Sequence, residues 1–590
     1  MNYQVRSGLL LLLTITLFQS CSKIIEGDLI ITNVNIIDVK TGGTNPNMDV
    51  VIDKEIITAI LPHKNNTKYQ SEKIIDGSDK YLIPGLWDMH THTWWGYKDF
   101  FPLLLANGIT GIREMFGDTE TVKKIRMETA SDRIAGPIIV SAGDIIDGYP
   151  PTHDGCDIAK TPEEGREIVK KQKAEGADFI KVYDNLDRAV YFAIATECEI
   201  QGMALAGHIP HKIRLDEALN AKHACIEHFY GILEYCTDTK GLFQIDSLRN
   251  KRYNYIAHYE RTDFINQTYN QDKEKEVIAL LSKNEAWICP TLTVHKGFLR
   301  QYDYFYEDGR IDYMPEYAMN GWKWTTESDS ILSEEDARMF NADQTNYDLM
   351  LSLIKPLHDS GVRFLAGSDY ANPYTYPGFS LHEEMELLVE EAGLSPFSVL
   401  QTATINPAIF LKKENEMGSV EIGKLASLVL LHKNPLEDIK NTTTINAVIL
   451  KGKYLEGEIL QDEIEKIAVQ NRLPKIRTVL SKIISEEGIA KAIIEYHKLK
   501  KEKVESYNFN EDQLNTLAYE LLGAGKIKEA IQLYELNVQE FPDYANGYDS
   551  LGDGYLAAKD TINAIRVYAA SVDKGNNLSK SKLMALKKQK

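Results

Sequence analysis

The sequence predicts an α/β chain: a TIM (β/α)8 barrel, a small composite β-sandwich domain and a C-terminal α-helical repeat domain. Three observations predict it. Eight short apolar runs alternate with helix-like stretches across residues 81–411, the signature of repeated βα units. Two patches at 28–80 and 412–460 alternate β-rich runs with Gly, Asn and Pro turns, and both read as parts of one antiparallel β-domain. From 470 to 590 the apolar spacing becomes that of amphipathic helices.

At 590 residues the chain exceeds what one core usually organises, so several domains are expected. Its 43% hydrophobic and 26% charged content is globular. The net charge of −20 argues against a nucleic-acid partner, because phosphate binding needs a basic face. At the N-terminus Arg6 precedes an apolar run at 8–18, followed by Gln19, Ser20 and Cys21. That run is too short to span a bilayer but fits the core of a signal peptide. A cysteine just beyond it, with small Ser20 before it, resembles the lipobox of bacterial lipoproteins, although Phe18 and Gln19 depart from the usual pattern. The resemblance implies a signal peptide over 1–21, a lipid anchor on Cys21, and an exported protein of the periplasm or outer membrane. A plain secretory signal is the alternative. The remaining cysteines, Cys156, Cys198, Cys225, Cys236 and Cys289, form no CxxC pair, so a zinc ribbon is excluded. Cys225 and Cys236 could pair, with buried thiols the simpler expectation.

The stretch 82–93, LIPGLWDMHTHT, opens the barrel. A strand is expected over 83–89, with Asp88, His90 and His92 on one face because side chains alternate. Later strands are expected in ITGIREMF, PIIVSAG, ADFIKVY, MALAGHI, ACIEHF, AWICPTLTV and VRFLAGSD. Two long connections, 231–284 and 297–360, are rich in aromatic and charged residues, Tyr302 and Trp322 among them. They read either as surface padding or as the lid and wall of a substrate site. Further on, LAYELLGAGKIKEAIQLYELNV recurs as LGDGYLAAKDTINAIRVYAASV at a spacing of 34, matching Leu517 to Leu551, Ala530 to Ala564 and Tyr534 to Tyr568. The period and its small residues resemble the tetratricopeptide repeat, with a weaker partial unit at 492–496. Such stacks present a groove to a protein partner or cap the neighbouring domain.

The strand ends carry the chemistry. The first offers His90 and His92, the fourth Lys181, the fifth His208, the sixth His228 and the eighth Asp369. Singly these read as core histidines, a snorkelling lysine and a capping aspartate. Together, at strand ends of one barrel, they point to a metal site. A free lysine ammonium inside a barrel is costly and needs a partner or a modified form.

This order is similar to the amidohydrolase superfamily, in particular its imidazolonepropionase- and prolidase-like metal-dependent hydrolases. The resemblance rests on PGLWDMHTH, GADFIKVY, AGHIP, IEHFYG, LAGSDY, LHEEMELLVEEAGLSP, ATINPAIF and GSVEIGKLASLVLLHKNPLEDI, and covers roughly residues 28–460. It implies a carboxylated Lys181 bridging two divalent metals, with His90, His92 and Asp369 on one metal and His208 and His228 on the other. Nitrogen and oxygen ligands suit Zn2+ best and leave manganese, cobalt and iron open. It further implies attack by a metal-bridging hydroxide on the C–N bond of a dipeptide or cyclic amide, with Asp369 carrying the proton. His153 and Tyr230 stand where relatives orient the substrate, although a loop histidine and a packed tyrosine are equally open. Arg113, beside Glu114, reads as an internal ion pair or a substrate contact. His382 reads as an anchor for the helix after the eighth strand. Alternatives are a lactone or phosphotriester hydrolase on the same site, and a repeat-based binding lipoprotein with a non-catalytic barrel. A mononuclear deaminase is argued against by Lys181. The expected partners are a small-molecule amide substrate, the membrane through Cys21 and a protein on the repeats; self-association is left open.

Overall fold

The computed structural model describes residues 24–588 except 154, 249–254, 304–305, 320–321, 323–331, 575 and 577. The signal segment at 1–21, with Cys21, lies outside the described residues. Among those described, no helix is long and apolar enough to cross a membrane.

Eight parallel strands form the centre, in chain order Leu86–Thr91, Ile109–Glu114, Ile138–Ser141, Phe179–Val182, Ala204–Gly207, His223–Glu227, Trp287–Cys289 and Arg363–Phe364. The first three make one sheet, and the other five make a second with two short strands from the loop after the third. Bridges at Ala142–Phe179 and Thr91–Tyr370 join the two sheets. Asp369 N–H donates to His90 O at 2.8 Å and Met89 N–H to Ala366 O at 2.9 Å, which closes the ring. The result is a TIM-barrel-like core whose strand interiors are almost wholly buried.

The opening stretch departs from expectation. It holds two strands, not one over 83–89. Tyr81–Pro84 pairs antiparallel with Leu428–Leu431 in the flanking β-domain, and only Leu86–Thr91 enters the barrel. Gly85 makes the break. A Cβ there would fall 2.0 Å from Thr110 Oγ1, so no larger residue fits where the chain changes sheets.

Strands of the two flanks lie in one eight-stranded mixed sheet, where a sandwich was expected. Leu29–Asp38 lies at its middle, antiparallel to Gly43–Asp53 and parallel to Lys73–Asp76 and Tyr81–Pro84. The sheet curls so that Ile56 bridges Leu425, around a core that includes Ile31, Val50, Ile52, Leu82, Leu428 and Leu430. Alternating patterns specify a buried face without specifying which strands pair across it.

The seventh and eighth strands are also shorter than their apolar runs. After Cys289 the chain turns, and the β-branched run continues as the helix Leu292–Arg300. Tertiary contact overrides propensity here, because buried Glu384 accepts the Thr293 N–H at 2.9 Å at the helix start.

Past the sheet, Gly457–Arg472 packs Leu460 and Ile464 on Leu103, Leu105 and Ala106 of the helix Tyr97–Ala106. Antiparallel helices follow. Glu511–Gly523 and Ile527–Glu540 form one hairpin, and Ala545–Ala557 and Thr561–Asp573 form another that begins 34 residues later. Leu517, Ala530, Tyr534, Leu551, Ala564 and Tyr568 are all buried. Short 3-10 turns at Gly309–Tyr313 and Glu316–Met319 lie between barrel and hairpins. Glu316 pairs with Lys475 at 3.0 Å and Arg477 at 2.6 Å, and Tyr317 O–H donates to Asp99.

Candidate metal centre

The strand ends bring together the histidines expected there. His90 and His228 ring centres lie 4.6 Å apart, His208 and His228 5.0 Å, and His90 and His92 5.5 Å. Asp369 stands among them. Its Oδ1 lies 3.0 Å from His92 Nε2 and 3.6 Å from His90 Nε2, and its Oδ2 lies 3.8 Å from His228 Nε2. Lys181 Nζ is 3.4 Å from His90 Nε2 and is buried. Ligand atoms of His90, His92 and Asp369 all lie within 4.8 Å of one another.

Local backbone geometry aims these groups. His228, Asp369 and Thr291 carry φ of 56°, 51° and 49°, a left-handed conformation that non-glycine residues rarely adopt. At Gly367 an added Cβ would sit 2.7 Å from His90 Cβ and 2.6 Å from Cys289 Sγ, so only glycine lets the eighth strand approach the first this closely.

Three of the histidines are oriented by bonds at Nδ1. His90 Nδ1 meets Glu227 Oε2 at 2.8 Å, His208 Nδ1 meets Asp184 Oδ1 at 2.8 Å, and His228 Nδ1 meets Thr291 Oγ1 at 2.6 Å. Each therefore keeps Nε2 for the centre, the arrangement of imidazoles that bind metal. Buried Asp369 Oδ1 faces His92 Nε2 at 3.0 Å, and His208 Nε2 is buried with no hydrogen-bond partner among the described residues. Buried polar atoms are rarely left so. An orphaned imidazole nitrogen and a carboxylate oxygen set against a second imidazole, in one group of His, Asp and Lys side chains, fit a divalent cation of borderline hardness.

Electrostatics agree. Burial lowers the pKa of His90, His92 and His228, with the neighbouring Lys181 and histidines adding to it for His90 and His228, so these imidazoles are neutral and have a lone pair to offer. Burial also lowers the Lys181 ammonium, against the pull of Asp369 and Glu227. Burial works to raise the Asp184 carboxyl, but His208 and His211 together hold it below its ordinary range.

Glu227, Asp184 and Thr291 are the participants that sequence reasoning did not single out as functional. Glu227 was adjacent to His228 in plain view, and its distance from His90 in sequence hid the contact. Arg113 pairs with Glu227 at 2.8 Å, not with adjacent Glu114, so it braces the His90 partner as an internal ion pair. Glu114 instead accepts the Thr93 N–H behind His92, and burial pushes it up to about 8. The other expected residues lie round the mouth. Tyr230 stacks on His208 at 4.1 Å, Tyr183 stacks on it at 3.9 Å, and His153 Nε2 meets Tyr183 Oη at 3.2 Å. His382 is bonded at both nitrogens, to Thr442 Oγ1 at 2.8 Å and Asn107 O at 2.9 Å, and anchors its helix. Cys225 and Cys236 are separate buried thiols, without the disulfide left open above.

Residues 350–455, which contain Asp369 and the return into the β-sheet, match the model of the amidohydrolase family. Among particular proteins, the chain is similar to imidazolonepropionase of Symbiobacterium thermophilum, 41% identical over 71 residues, which is 12% of this chain and 16% of that protein. It is likewise 44% identical over 64 residues to dihydroorotase of Carboxydothermus hydrogenoformans, 11% of this chain and 14% of the relative. These alignments span about a sixth of the curated relatives' length. In fold the chain resembles a Xaa-Pro dipeptidase solved with bound methionine in the active site (TM-score 0.54, 20% identity, covering 72% of this chain and 99% of that one). It also resembles the bottromycin amidohydrolase (TM-score 0.60, 21% identity, covering 75% and 90%).

Proposed function

We propose that this protein is a metal-dependent amidohydrolase that cleaves a C–N amide bond in a small substrate, a dipeptide or a cyclic amide. One observation carries the reading: imidazoles from the first, fifth and sixth strand ends turn Nε2 to one point beside Asp369 and Lys181, with Nδ1 of His90, His208 and His228 held from behind. His90, His92 and Asp369 would hold one divalent ion and His208 and His228 a second, with Lys181 as a carbamate between them. Zn2+ suits the donors best. When bound, such ions supply Lewis acidity and bring the pKa of water towards neutrality.

The chain's own groups do the rest. Asp369, whose Oδ1 faces His92 Nε2 at 3.0 Å, stands where it can take a proton from an attacking water and return it to the leaving nitrogen. Tyr230 and His153, on the rim around His208, can hold the substrate oxygen. The relatives named above point to linear and cyclic amides as the substrates to try. Export and a lipid tether at Cys21 belong to the same proposal, and Cys21→Ser should release the protein from membranes. A protein partner for the helical hairpins also stays a proposal.

The test is elemental analysis of the purified wild type and Lys181→Ala, together with hydrolysis assays on dipeptides and cyclic amides. About two metals per chain in the wild type, falling in the variant, supports the paired site. One metal in both removes the bridging lysine from the reading, and no hydrolysis of any amide by the metal-loaded wild type removes the function.

A further inference from the structure

His295 stands outside every role described so far. It lies on the helix Leu292–Arg300, which begins just past the end of the seventh barrel strand. Two contacts tie the start of that helix to the strand ends of the candidate metal centre, and a third ties it to the helix Phe379–Glu390. Thr291, its N-cap residue, bonds His228 Nδ1 at 2.6 Å. Thr293 Oγ1 donates to Ser368 O at 3.1 Å, next to Asp369, and its N–H donates to Glu384 at 2.9 Å. His295 comes four residues after Thr291. It therefore sits in the first turn of that helix, where its ring is electrostatically coupled to both Asp369 and His228.

Its Nε2 is buried and has no hydrogen-bond partner among the described residues. A buried polar atom left unpaired is costly, so one beside a reaction centre has a use there. Burial holds the ring at a pKa of about 4 against the pull of Asp369, and its charge coupling extends to His228. It is therefore a neutral imidazole, which in the Nε2–H tautomer donates one hydrogen bond. His382 provides the contrast: it is buried and both of its nitrogens are bonded, as expected of a structural histidine.

We propose that His295 is a specificity-determining residue whose Nε2–H donates to the carboxylate of the bound dipeptide or amino-acid product. The inference rests on the hydrolase reading for its substrate class but is tested without turnover. A ring carbonyl of a cyclic amide offers the same acceptor chemistry, and the probes separate the two.

Binding of L-methionine, L-methioninamide and dihydrouracil is measured by calorimetry on zinc-loaded wild type, His295→Ala and His295→Asn, with metal content and melting midpoint read on the same samples. The expected result is that His295→Ala weakens L-methionine about ten- to hundredfold, the size of a lost hydrogen bond to a charged group. The other two probes should bind as before and metal content should be unchanged. His295→Asn, which keeps a donor, should recover part of the loss. Weakening confined to dihydrouracil overturns the carboxylate in favour of a ring carbonyl. Unchanged L-methionine binding, loss of metal alongside binding in both variants, or no binding of any probe to the wild type each overturns the proposal. A wild type that binds L-methionine through His295 yet hydrolyses no amide would remove the hydrolase reading alone.

Discussion

Asp184 and Glu227 do their work one bond behind the centre, and each makes a different prediction. Asp184 fixes His208 through Nδ1 and is itself held ionised by His208 and His211. Asp184→Asn keeps the shape and alters the bond, so metal affinity should fall about ten- to hundredfold while the chain stays folded. Metal titration with a chromogenic chelator reads this, and an affinity equal to wild type would sink the orienting role. Glu227 joins His90 to fully buried Arg113. Glu227→Gln leaves a buried guanidinium without its counter-charge, and urea unfolding should show a loss of about 3–5 kcal/mol. A change below about 1 kcal/mol would mean that another group compensates Arg113. Neither role was legible in the sequence, where the paired residues stand 24 and 137 positions apart. The histidines and Asp369 that gather at the centre were legible, because each lies at the end of an apolar run.

At the scale of the element, the helix Leu292–Arg300 shows how a strand-like sequence is overruled. Its Thr-Leu-Thr-Val start favours a strand, yet Glu384 from the helix Phe379–Glu390 captures the Thr293 N–H. Burial pushes Glu384 up to about 8, well above the ordinary carboxyl value near 4.3. Between about 4.3 and about 8 the native chain therefore holds a proton that the unfolded chain has released. Its contribution to stability falls as pH rises through that window, by at most about 1.4 kcal/mol per pH unit. Glu384→Gln should remove this slope while keeping an acceptor for Thr293. Urea midpoints at pH 5 and pH 7.5 should separate more for the wild type than for the variant. Equal separation in the two proteins would show that Glu384 does not titrate in that range.

Over the whole molecule the helical region divides at Arg472. The helix Gly457–Arg472 belongs to the barrel, since its Leu460 and Ile464 cover Leu103, Leu105 and Ala106. The hairpins beyond it have their own core around Ile476, Leu480, Tyr496, Leu517 and Leu533, and meet the barrel through polar pairs such as Glu316 with Arg477. These part-buried polar pairs leave the hairpins and the barrel each with its own apolar core. A chain ending after residue 472 should stay monodisperse in gel filtration with a cooperative melt. One ending after residue 456 should aggregate, because it uncovers an apolar face on Tyr97–Ala106. Equal behaviour of the two truncations would place the boundary elsewhere.

The sequence by itself determined the order of eight apolar runs, the residues that end them, the joining of the two β-flanks and the 34-residue spacing of the helices. These are local or periodic signals, carried by burial patterns that neighbouring residues share. Only the tertiary structure decided that Gly85 splits the opening run between two sheets, that the flanks make one curled sheet, and that Arg113 pairs with Glu227. It also decided which nitrogen of each histidine is left free, and that His295 keeps one nitrogen empty. Those outcomes depend on which distant side chains meet in a buried space. Pairing there follows from packing and from the cost of an unsatisfied polar group, and no spacing along the chain encodes it.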